Sequence, residues 1–295
     1  MSKPLILVTG AHGQLGNEIR VLSAQYPAFG YVFVDKDELL IDDAAAVDRF
    51  FDDHRPAWCI NCAAYTAVDK AETEREVAMR VNADAVGYLA TASRRHHTRF
   101  IHISTDYVFD GTATTPYKET DATSPVNFYG ATKLEGEKRC LAGDPSALII
   151  RTSWVYSSFG HNFVKTMMRL MKEKPSLNVV SDQVGSPTAA KDLAQAIMTI
   201  VGGVNEQTKV WTPGIYHFSD EGIISWFDFA QAIRELTGSA CTVNAIPTSG
   251  YPTPAKRPAY SAFSKEKIKA VYHIRIPAWR DSLAACVQTL MDASR

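Results

Sequence analysis

The stretch VTGAHGQLG places Gly10, Gly13 and Gly16 directly behind the apolar run PLILVTG. Directly ahead lies a segment with helical spacing through Leu15, Ile19 and Leu22. A strand that enters a helix through such a turn restricts the fold more than any other feature of the chain. Glycine permits a tight turn, close approach of backbone to a ligand, and close packing of helix on strand. The free N–H groups at the helix start then face an anion such as a pyrophosphate. The spacing is G-x-x-G-x-x-G rather than the commoner G-x-G-x-x-G, and the same physics applies.

The alternation continues. Apolar segments YVFVDKDE, WCINCAAY, TRFIHISTDYVFDG and SALIIRTSWVY read as strands. Between them lie the helical segments AAAVDRFFDDHRP, AETEREVAMRVNADAVGYLATASRR (one long helix or two abutting ones) and YGATKLEGEKRCLA. This rhythm predicts βαβ units with right-handed crossovers: an α/β, Rossmann-type doubly wound parallel sheet. Residues 1–152 are expected to form a dinucleotide-binding domain. Beyond about residue 155 the regularity loosens and SGYPTPAKRPAYSAFSKEKI is punctuated by proline. Residues 153–295 are therefore expected to form mainly a smaller, irregular substrate lobe, with some segments returning to the sheet.

Composition removes several function classes. With 46% hydrophobic residues in 295, a sizeable core is available. The 31 basic and 32 acidic residues balance to a net charge of −1 without blocks of either sign, which argues against nucleic acid and membrane surfaces as partners. No apolar run approaches the roughly 20 residues that span a bilayer, and PLILVTG is too short for a signal peptide, so a cytoplasmic protein is expected. An odd count of five cysteines predicts free thiols. CINC at 59–62 lies in a strand, where residues three apart face opposite sides, so it is read as two packed core thiols. RRHH at 94–97 is read as a solvated helix end, and the absence of HxH or HExxH patterns argues against catalytic zinc.

Three groups of residues point to chemistry. Asp35 ends the second strand, where an acid can hold an adenosine ribose; it favours NADH, although it can instead simply cap the following turn. Lys36 beside it suits a 2′-phosphate, so NADPH stays open. Tyr129 and Lys133 stand four apart and share one helix face. A phenol titrates near about 10, and a neighbouring ammonium is expected to draw it toward neutral pH. Ser104, Thr105 and Asp106 end a parallel strand, the edge at which open α/β sheets bind ligands.

Taken together, TGAHGQLG, NCAAYTAVDKAE, STDYVFDG, YGATKLEGEK, RTSWVY, NFVKTMMRL and YPTPAKRP, in order from about residue 5 to about residue 280, resemble the extended short-chain dehydrogenase/reductases. The resemblance implies NADPH- or NADH-dependent reduction of the C4 keto group of a nucleotide sugar, dTDP-4-dehydro-L-rhamnose. It implies pyrophosphate contacts from Gly10, Gly13, Gln14, Leu15 and Gly16, and a nicotinamide-side loop at Ala64, Tyr65 and Thr66. Thr105 is implied as the catalytic hydroxyl, Tyr129 as the general acid and Lys133 as its partner on the nicotinamide ribose. Thr105, Asp106, Trp154 and Arg257 are implied to meet substrate.

The chain also departs from that pattern. Leu40–Ile41 replaces an acidic pair start, leaving only a backbone contact near the adenine. Glu18 matches a family Mg²⁺ position, but Lys191 stands where another carboxylate belongs, and an ammonium repels a hard cation. No tightly held metal is expected; tight stoichiometric Mg²⁺ binding in a calorimetric titration would overturn this. A homodimer formed by ordinary packing stays open. Two other roles suit the same scaffold: a nucleotide-sugar epimerase or dehydratase that cycles a retained NAD⁺, and a non-catalytic regulatory subunit.

Overall fold

The computed structural model describes residues 3–293. The first half runs β1 (Leu5–Thr9), α1 (Gln14–Leu22), β2 (Gly30–Val34), α2 (Ala44–His54), β3 (Trp58–Asn61), α3 (Arg75–Met79), α4 (Ala85–Arg95), β4 (Arg99–Thr105), α5 (Phe128–Gly143) and β5 (Leu148–Thr152). The second half runs β6 (Val155–Tyr156), α6 (Phe163–Glu173), β7 (Ser176–Val180), β8 (Val184–Gly185), β9 (Thr188–Ala189) and α7 (Ala190–Asn205). It continues through β10 (Gly214–His217), β11 (Ile224–Ser225), α8 (Trp226–Thr237), β12 (Thr242–Ile246), α9 (Glu266–Tyr272) and α10 (Trp279–Asp292).

Six parallel strands form the main sheet in the order β10-β5-β4-β3-β1-β2. Both faces are buried, which is why these strands read as unbroken apolar runs. Ile6, Val8, Ile60, Ile101 and Ile150 pack with Ile19 of α1 and Leu193 and Ile197 of α7. Their neighbours Leu7, Cys59, Phe100 and Ile149 point the other way, onto Phe51 of α2, Leu89 of α4 and Cys140 of α5. The strand order reverses at β1, so a crevice opens beyond the carboxyl ends of β1 and β3.

A second apolar core joins Val164 and Met167 of α6, Phe229 and Ile233 of α8, and Leu283 and Val287 of α10. β7 and β12 pair in parallel over this core. The later part of the chain nevertheless crosses back: β10 completes the main sheet beside β5, and α7 packs on α1.

The segment 75–95 is not one helix. A π-helical turn at Arg80–Asp84 separates α3 from α4. There the Asn82 carbonyl presses so close to α5 that a Cβ on Gly136 would lie 2.1 Å from it. The histidine pair also needs correction: His97 is exposed, but the His96 ring is only 4% exposed and packs against Phe51. Its helix end folds back over α2, which spacing along one helix cannot reveal. Cys59 lies in the core, whereas Cys62, just past β3, lines the crevice; burial pushes both thiols far up, so neither is a thiolate.

Candidate active site

A cleft of about 910 Å³ runs from the glycine turn, across the ends of β1, β3 and β4, to the start of α5. At one end Gly10 takes φ +65°, and Gly13 N–H donates to its carbonyl at 3.0 Å. A Cβ on Gly10 would lie 2.6 Å from the Ala63 nitrogen, and one on Gly16 would lie 2.4 Å from the Gly10 oxygen. The three glycines therefore do different work. Gly10 lets the turn touch β3, Gly16 seats α1 on the turn, and Gly13 with Gln14 and Leu15 forms the cleft floor at the helix start. Gln14 also bridges to the second half, accepting from Asn162 Nδ2 at 2.9 Å.

Asp35, Lys36, Leu40 and Ile41 line the far wall. The Asp35 carboxylate accepts from the backbone N–H of His12 (3.1 Å) and of Lys36 (2.9 Å), so it braces the glycine turn and caps its own turn at once. Ala64 and Thr66 line the middle. Tyr65 points its side chain outward, donating to Glu74 at 2.7 Å, while its backbone is clamped on both sides by the Asn82 amide. Asn82 in turn donates to Thr132 of α5. Nothing in its spacing marks Asn82; the π-turn that aims it inward is a tertiary product.

At the other end Thr105, Asp106, Tyr129 and Lys133 meet. Asn127 caps α5 by accepting from Gly130 N–H at 2.8 Å, and Glu72 accepts from Phe128 N–H at 2.9 Å. Gly130 is required because a Cβ would lie 2.1 Å from the Tyr107 carbonyl. These contacts fix Tyr129 edge-on to Tyr107 at 5.5 Å. Burial pushes the Tyr129 phenol up to about 12, against the hydrogen bond with the Thr105 hydroxyl, which pulls it down.

The expected lowering by Lys133 is absent. The Lys133 ammonium is buried and donates to the Ile103 carbonyl at 2.7 Å, so desolvation of the phenol wins. Burial brings Lys133 itself down to about 8, against the pull of Glu137. Asp106 is likewise buried and rises to about 6 although the Ser261 and Thr105 hydroxyls oppose the shift. Thr105 Oγ1 donates to Asp106 Oδ1 at 3.0 Å and accepts from Tyr107 N–H at 3.3 Å.

The remaining candidates separate. Trp154 lines the cleft with φ +48° and stacks on Trp226 at 3.6 Å. Arg257 does not line the cleft: its guanidinium is held bidentate by Asp69, at 2.8 and 2.9 Å, across the two halves of the chain. Glu18 accepts from Ser157 Oγ at 2.5 Å with the Lys191 charge nearby, which pulls down a carboxyl that burial raises. Among the described residues no three His, Cys, Asp or Glu side chains gather as a metal set.

A family model described as the RmlD substrate binding domain matches residues 4–291. The dTDP-4-dehydrorhamnose reductase of Aggregatibacter actinomycetemcomitans is 42% identical over 286 residues, covering 94% of this chain and 96% of that protein. The chain belongs to the dTDP-4-dehydrorhamnose reductase family. Solved structures agree with that membership. A dTDP-4-dehydrorhamnose reductase from Clostridium acetobutylicum superposes with a TM-score of 0.91 at 40% identity, covering 97% of this reductase and 99% of that chain. One from Bacillus anthracis, in complex with NADP, does so with a TM-score of 0.91 at 35% identity, covering 98% and 100%.

A dinucleotide fits the residues of this family member. The Gly10 and Gly16 cradle leaves no room for a side chain, and the cleft continues from it to Lys133 and Tyr129. No helix is long and apolar enough to cross a membrane among the described residues.

Proposed function

We propose that this protein reduces the C4 keto group of dTDP-4-dehydro-L-rhamnose to give dTDP-L-rhamnose, using NADPH or NADH. One observation carries the reading: a protonated phenol, a threonine hydroxyl and a buried ammonium converge on the end of a cleft that begins at a glycine cradle. When bound, the reduced nicotinamide supplies hydride. The protein supplies place, field and proton.

In this reading the glycine turn and α1 hold the pyrophosphate, and the β2 end with Asp35 holds the adenosine ribose. Leu40 and Ile41 line the adenine end, Ala64 and Thr66 support the nicotinamide half, and Lys133 holds its ribose. Negative charge grows on the C4 oxygen as the carbonyl is reduced. Thr105 donates a hydrogen bond to it and Tyr129 delivers its proton. The high Tyr129 pKa suits this direction, because the phenol stays protonated until the oxyanion needs it. Asp106 accepts from a sugar hydroxyl, and Trp154 offers a ring face beside it. Arg257 would reach the diphosphate only by leaving Asp69. A homodimer formed by packing is part of the same proposal.

The retained-NAD⁺ and regulatory readings gain nothing specific. Epimerase and dehydratase structures at 17–20% identity share only the fold. The decisive assay follows NADPH and NADH oxidation with dTDP-4-dehydro-6-deoxyglucose plus a 3,5-epimerase and identifies the sugar product. Stoichiometric bound NAD⁺ with no net NAD(P)H consumption defeats the proposal.

The pH profile gives a separate check. Lys133 acts charged, so activity falls as pH rises through about 8; Asp106 acts ionised, so it falls as pH drops through about 6. kcat/KM, which reports the free enzyme, is expected to be greatest between these values. A flat profile from pH 5 to 9 contradicts both assignments.

A further inference from the structure

Behind Lys133 lies a polar cluster that the proposed reaction leaves unused. Tyr129, Lys133 and Glu137 follow one another at four-residue steps along one face of α5. Glu137 Oε1 accepts from Ser104 Oγ at 2.5 Å and from Arg151 Nε at 2.9 Å; its Oε2 accepts from the Arg151 guanidinium at 2.7 Å. Lys133, Glu137 and Arg151 are each 2% exposed. The far side of Arg151 is sealed by the Phe109 ring at 5.0 Å and by His217 Nε2 at 3.5 Å.

Resting on the reading that Lys133 acts as an ammonium, we propose that Glu137 is a positioning residue. Braced by Arg151, its carboxylate keeps Lys133 charged and pins the end of β4 through Ser104, so that Thr105 faces the cleft. Stability alone gives little reason for such a pair. Burying two ions costs as much as their attraction returns, and apolar side chains of similar volume often fill the space equally well. The location gives the reason. Glu137 joins the two elements that carry the reacting hydroxyls, and its charge compensates an ammonium that has left water.

Lys133 faces few other groups. On α5 these are Tyr129 and Cys140, neither ionised near neutral pH. On β4 it meets the Ile103 carbonyl and His102, whose ring burial keeps neutral. Arg151 on β5 and His217 on β10 lie beyond Glu137, and His217 is held neutral by burial and by the Arg151 charge. Asp106 stands at the other side of the cleft end. Glu137, one turn along α5, is thus the carboxylate on the buried side whose charge acts on Lys133.

The test uses full-length, cofactor-free protein with [ε-¹³C]lysine, the Lys133 resonance being assigned through K133R. In E137Q the Lys133 titration midpoint is expected to fall by one pH unit or more. The alkaline limb of kcat/KM should fall with it, making activity at pH 8 about fivefold lower for a shift of one unit and recovering it at lower pH. An unchanged midpoint in E137Q overturns the proposal. If E137Q does not fold, the E137M/R151M double variant removes the ion pair without leaving a lone charge. A lowered midpoint there supports the role, and a wild-type midpoint with restored stability shows the pair to be merely structural. Inactivity of the wild type toward the keto sugar would sink the functional reading but would leave the lysine titration to decide this one.

Discussion

Tyr129→Phe is expected to lower kcat by about 10²–10⁴-fold while leaving the protein folded and able to bind cofactor. The phenol hydroxyl is the only atom removed. The ring stays where the Asn127 cap and Gly130 place it, edge-on to Tyr107, in a pocket that Phe fills equally. In the proposed mechanism Thr105 would remain to polarise the C4 oxygen, but the acid assigned to protonate it would be gone. Rapid measurement of NADPH oxidation, together with thermal melts and cofactor titration, separates chemistry from binding. Turnover near wild type would mean that the proton comes from elsewhere, and the mechanism proposed above would fall with it.

The second large effect lies at the other end of the cleft. Gly10→Ala is expected to weaken cofactor binding more than tenfold and to lower Tm by several degrees. The residue sits at φ +65°, which costs an L side chain about 1–2 kcal/mol. The new methyl also lands 2.6 Å from the Ala63 nitrogen and 2.8 Å from the Cys62 carbonyl carbon, both backbone atoms that cannot rotate away. Either the turn or the chain just past β3 must move, and both line the cleft proposed to hold the cofactor. For a chain of this size each kcal/mol lost corresponds to about 2–4 °C. Unchanged affinity by calorimetry would show that the turn does not cradle the cofactor.

Much of the site was legible because its signals are local. A helix start presents its N–H groups wherever a glycine turn precedes it, and residues four apart on a helix share a face whatever surrounds them. Gly10, Tyr129, Lys133 and Thr105 belong to that class, and the structure brings all four to one cleft. Other features depend on what packs against them. Asn82 is an unremarkable helix residue in sequence, and only the fold shows it in a π-turn packed against α5 with its amide on the Tyr65 backbone. Arg257 looks free in YPTPAKRP, and only the folded chain pairs it with Asp69, almost two hundred positions away.

Sequence alone determined the βαβ order, the glycine cradle and the placement of the Tyr129 phenol and Lys133 ammonium on one helix face, because each follows from backbone periodicity and short-range sterics. Tertiary structure alone decided the protonation of those groups. Proximity along the helix predicted that Lys133 would pull the phenol down, yet burial pushed it up to about 12 and brought the lysine down to about 8. Desolvation is set by every element that closes over a group, and Lys133 is buried where α5 packs on β4.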